Sequence, residues 1–182
     1  MVNVFSIVFL TTSVLSVVAT PLKRTTTDVL NAINRVSADT TNLDNLITSY
    51  PLSGGTLLAA LAIHTSSGTL GTDLGTATTT VKNNGPVVHP DADTILSAVL
   101  AIEPIIDHAL SQIVIKKPAF AALPLGGVPA LVLSDLISLK AATGSFAAAL
   151  IAEAPADLVP PGTALENRIL AAFDVAIAAY QS

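Results

Sequence analysis

The chain has no cysteine and no tryptophan. Without cysteine there can be no disulfide frame of the kind that holds many small secreted proteins together. Thiolate metal sites are excluded as well, and so is a hydrophobin-type surface protein, whose framework is built of cysteines. Charge is also scarce. Asp, Glu, Lys and Arg make up 12% of the residues, roughly half the usual share. Eight basic residues stand against 13 acidic ones, a net charge of −5. An acidic chain with no basic stripe repels nucleic acid and anionic membranes, so no nucleic-acid partner is expected. Stability has to come from packing alone.

The sequence is rich in aliphatics: hydrophobic residues make up 51% of it, while aromatics are only 4%. So much apolar surface in one domain's worth of chain has to be buried, left outside, or turned towards an internal cavity. The last two would be functional features.

The first 19 residues read as a secretory signal. An apolar run from Val2 to Val18 ends in Val17-Val18-Ala19, a small-residue pattern that suits cleavage after Ala19. Its hydroxyl side chains and length argue against a membrane anchor. Residues 20–24 then read as a short propeptide ending in the dibasic pair Lys23-Arg24. The expected organisation is signal peptide 1–19, propeptide 20–24 and a single helical domain 25–182, in a secreted, extracellular protein.

Five segments carry helical periodicity, with Pro and Gly between them. The first spans about 27–49, on the stripe Val29, Ile33, Val36, Thr40, Leu43, Ile47 and Tyr50. The second spans about 56–81, with Ala60, Ile63, Leu70, Leu74, Ala77 and Val81 on one face. Its middle, around Gly68, Gly71 and Gly75, is poor helix material, and each Gly there costs roughly 1 kcal/mol relative to Ala. The third starts after Pro90, capped by Asp91 or Asp93, and ends before Pro118 with Lys116-Lys117 in its last turn. Pro104 should bend it. The fourth runs from about Pro129 to Ala154. A capping box, Thr163-Ala164-Leu165-Glu166, opens the last, on which Leu165, Ile169, Phe173, Ala176 and Tyr180 share a face. The expected fold is all-α, an elongated bundle of about five amphipathic helices.

Catalytic signatures are missing. There is no Gly-X-Ser-X-Gly elbow, no phosphate loop and no His-Glu-X-X-His. Glu103, Asp107 and His108 share one stretch, but they read as a solvated charged face. No enzyme, cofactor or metal site is expected.

The opening Asp28-Val29-Leu30-Asn31-Ala32-Ile33, the turn Ser49-Tyr50-Pro51, the cysteine-free helices and the apolar segment from Ile95 to Ile115 together resemble a fungal secreted family. That family comprises hydrophobic surface binding protein A and the cell-wall galactomannoproteins. The resemblance implies an all-helical, cell-wall-associated bundle that binds hydrophobic surfaces or fatty-acid-like lipids, with a secreted esterase as a partner. The alternative it leaves is a structural wall mannoprotein without a ligand. If the apolar stripes enclose a cavity, Leu70, Leu74, Val99, Ile102, Ile106, Val132, Leu136 and Phe146 are its expected lining. Otherwise they are ordinary core.

Overall fold

The apolar stripes dictate which surface each helix turns inward. A computed structural model describes residues 25–182. The expected signal segment and the processing positions Ala19, Lys23 and Arg24 lie outside the described residues. The elements are α1 (Thr26–Ser49), α2 (Leu57–Asn84), α3 (Asp91–Leu100), α4 (Glu103–Ala121), α5 (Val128–Ala152) and α6 (Val159–Gln181), with no strand among the described residues. Every residue of the first stripe, Val29 through Tyr50, is buried, as is every residue of the second and the last.

α3 and α4 are two halves of one rod, so six helical segments make the five rods expected. The break falls at residues 101–102, just ahead of Pro104. Pro104 has no N–H for the Leu100 carbonyl. The chain tightens there: the Ile102 N–H donates to Val99 at 3.0 Å and the Ile105 N–H to Ile102 at 3.0 Å. The expected bend is therefore a full interruption.

Three boundaries differ from the sequence reading. α3 has no side-chain cap, and Asp91 and Asp93 lie in its first turn. α4 does not stop at Pro118 but carries it inside and runs on to Ala121. Lys116 and Lys117 instead serve the C-termini of neighbouring helices. Lys116 Nζ donates to the Thr48 and Tyr50 carbonyls at the end of α1, and Lys117 Nζ to Ala179 near the end of α6, where unpaired carbonyls and the helix dipole favour a cation. Finally, α6 begins at Val159, four residues before the expected box. Pro160 and Pro161 sit in its first turn, where a missing N–H costs nothing.

The rods form a closed ring in the order α1, α2, α5, α6, α4, with α3 also against α1. Cross-links fix the directions. Asn42 bonds Ser66 and Arg35 pairs with Asp73, so α1 and α2 are antiparallel. His64 meets Asp135 while Ser67, Gly68, Gly71 and Thr72 face Ser138, Leu139 and Ala142, so α2 and α5 are parallel. Glu103 pairs with Arg168 and Tyr180 donates to the Ile113 carbonyl, so α4 and α6 are parallel too. The chain thus runs up and down between two ends. Residues 50–56 and 122–127 lie at one, residues 85–90 and 153–158 at the other. α2, at 28 residues, is about 42 Å long, so the bundle is elongated as expected.

Candidate functional site

Five rods around an axis leave a space that their side chains fill only in part. Inside the ring is a cavity of about 160 Å³. Its wall is almost wholly aliphatic, with Phe146 and Phe173 as the aromatics. Apolar cavities of this order stay dry and accept apolar guests. By length and composition, Asp91–Ala121 and Val128–Ala152 are each apolar enough to cross a membrane. Here both are walls of the ring.

All eight residues picked from the sequence meet on this cavity. Leu70 and Leu74 come from α2, Val99 from α3, Ile102 from the break, Ile106 from α4, and Val132, Leu136 and Phe146 from α5. Six are buried, while Val99 and Ile106 are half-buried. Ile102 stays on the wall although it lies in the interruption ahead of Pro104.

The sequence reading missed the polar part of the wall, which is Thr40, Ser67, Asp135, Thr143, Glu153 and Glu166. Thr40 spends its hydroxyl proton on the Val36 carbonyl, 2.7 Å away. Asp135 has a readable signal: it falls between Val132 and Leu139 on the apolar stripe of α5. Its carboxylate is bound by His64 Nδ1 at 3.0 and 2.9 Å. Burial pushes the Asp135 carboxyl above the usual range, and His64 opposes that shift. Ser67, Asp135 and Leu139 also line a groove on the outer side of the α2–α5 seam, floored by Gly68, Gly71 and Ala142. The small residues in the middle of α2 therefore leave room beside the cavity. Asp135 and Glu153 are separated by 18 positions, about 27 Å along a helix, so carboxyl groups stand towards both ends of the space.

Glu103 and His108 do not converge on a site, nor are they a plain solvated face. Glu103 takes a two-point bond from Arg168 of α6, at 2.6 and 3.0 Å, which holds its carboxyl below the usual range. His108 pairs with Asp44 of α1 at 2.7 Å. They tie α4 to two different neighbours. No group of residues suited to holding a metal ion occurs among the described residues.

A closed helical ring around an apolar cavity defines a binding protein for apolar molecules. The hydrophobic surface binding protein A family matches residues 26–152, and the chain belongs to that family. Solved structures agree with the fold. AfMP4p in complex with palmitic acid is 29% identical, covering 85% of this chain and 99% of that one, with a TM-score of 0.79. Ligand binding domain 1 of Penicillium marneffei MP1 protein, complexed with arachidonic acids, is 16% identical, covering 85% and 98%, at 0.77. Domain 2 of the same protein, also with arachidonic acids, is 17% identical, covering 88% and 98%, at 0.77. No curated protein matches the chain.

Proposed function

We propose that this is a secreted carrier that holds one apolar chain inside the ring, with Leu70, Leu74, Val99, Ile102, Ile106, Val132, Leu136 and Phe146 as contacts. The observation that carries the reading is the cavity itself, enclosed by five rods and walled by aliphatics. The palmitic acid held by AfMP4p supports a fatty-acid-like guest. The test is titration of the delipidated protein with a polarity-sensitive fluorescent fatty acid. Leu136→Trp, which fills the space, should lower affinity at least about tenfold while the helical circular dichroism persists. Unchanged affinity in a folded variant would reject the cavity as the site. We read no catalytic role.

A second reading, adsorption to hydrophobic surfaces, is favoured at one end of the bundle. Residues 50–56 and 122–127 include no charged side chain, and Leu52, Leu58 and Leu125 are exposed there. If a secreted esterase is the partner, it should co-sediment with a polymer coated by this protein and not with bare polymer.

Processing after Arg24 fits the start of α1. The Thr25 N–H already donates to the Asp28 carboxylate at 2.8 Å. Cleavage there would turn it into a charged amine beside an acid, and sequencing of the secreted N-terminus should read Thr25.

A further inference from the structure

We infer that the cavity selects apolar chains with an uncharged head group, such as an alcohol, a glycerol ester or a protonated carboxylic acid, over ionised fatty carboxylates. The inference rests on the cavity reading above and concerns only which head group the cavity takes.

Three side chains on the wall can ionise, Asp135, Glu153 and Glu166, and all three are acids. No Lys, Arg or His lines the wall. The nearest basic group is His64, whose Nδ1 is committed to Asp135. Of the other basic side chains on the rods, Lys82 is exposed near the end of α2 and is not part of the wall, and the following are spent elsewhere. Arg168 binds Glu103, Lys140 binds Asp174, Arg35 binds Asp73, and Lys116 and Lys117 bind helix-terminal carbonyls. An anionic head group would leave water for a largely aliphatic space whose polar wall groups are acids and hydroxyls, with no basic side chain on the wall to compensate it. Asp135 stands towards one end of the space and Glu153 and Glu166 towards the other, so the ligand meets a carboxyl whichever way it enters. A neutral head group meets acceptors instead, and an O–H donor suits a carboxylate.

From α2, His64 faces Asp135. From α6, the charged group paired to α5 is Asp174, which is engaged by Lys140. Burial, which already favours the protonated form of Asp135, also favours the protonated form of an incoming fatty acid.

The test uses the secreted protein freed of lipid. Dodecanol and dodecanoic acid compete for a neutral polarity-sensitive dye at about pH 4.5 and about pH 7.5, at and above the ordinary carboxyl range. Dodecanol should bind equally at both. Dodecanoic acid should lose at least about tenfold between them, and Asp135→Asn or Glu166→Gln should narrow its deficit against dodecanol at the higher pH. Dodecanoate matching dodecanol at pH 7.5 would overturn the head-group inference and leave the cavity reading standing. A deficit that neither substitution narrows would overturn the assignment to the wall acids. Failure of both ligands to displace the dye would overturn the cavity reading itself.

Discussion

The two ends of the ring share a buried apolar core but differ in the contacts added to it and in the surface they show. At the end formed by residues 50–56 and 122–127, the added contacts are internal. Tyr50 stacks on Phe120 with ring centroids 4.4 Å apart, and the buried Lys116 ties the end of α1 to α4. The exterior there exposes leucines. At the other end a buried aliphatic core that includes Val29 and Val81 is supplemented by an exposed charged clamp. His89 is clamped by Asp93 and Asp157, near Asp91 and Glu153, and Val88 is the exposed apolar residue. Both ends are held from within, and they differ in what they show to solvent: leucines at one, mostly charged side chains at the other. That division gives an otherwise uniformly aliphatic chain a direction.

The sharpest way to break the end that shows leucines is Phe120→Ala. Phe120 is 1% exposed, and losing so large a buried ring costs about 3–5 kcal/mol. Urea unfolding should show the loss in the midpoint.

At the acidic end the equivalent weak point is the backbone. Gly85 has φ 75° and ψ −164°, a region essentially closed to other residues, so Gly85→Ala should cost about 1–3 kcal/mol. Gly127, across the molecule, has φ 93° and ψ −6°, nearer the left-handed helical region. Its Ala variant should cost less, about 1–2 kcal/mol. Thermal melts of the pair should rank them in that order.

The functional side of the comparison is read by adsorption. Replacing Leu52 and Leu125 together by Glu should weaken binding to polystyrene about tenfold with stability nearly unchanged, since both are exposed. Val88→Glu at the acidic end should leave adsorption as it was. Equal losses from the two variants would erase the distinction between the ends.

The five rods and their inward faces were legible in the sequence because helical periodicity names the buried stripe directly. All eight expected wall residues reached one cavity for the same reason. The ends of helices were less legible. Pro118 reads as a stop yet lies within α4, and the last helix opens four residues before its expected capping box, with Pro160 and Pro161 tolerated in its first turn. Least legible were contacts between rods. His64 and Asp135 are 71 residues apart, and Lys116 caps a helix far from it in sequence. A stripe fixes which side of a helix faces inward but not its axial register against the next rod. Periodicity could place Asp135 on the inward stripe of α5, but its pairing with His64 followed from that register.

The smallest expected effect concerns the clamp at the acidic end. His89 Nδ1 lies 2.5 Å from Asp93 and Nε2 3.2 Å from Asp157. These bonds, first to Asp93 and then to Asp157, raise the His89 pKa above its ordinary value of 6.5. A histidine whose folded pKa is raised contributes stability that is fully present below the unfolded value and lost as pH rises through the folded one. The gap in thermal midpoint between the protein and His89→Gln should therefore be widest near about pH 5.5. It should close as pH climbs past 6.5 and through the raised value. Because the ring is exposed to solvent, salt should shrink the gap as well. Phe120→Ala should show neither dependence, since no charge takes part in its stack. A gap at His89 that persists at alkaline pH would mean that the clamp works by packing and not by charge, and the contrast between the two ends would then rest on their surfaces alone.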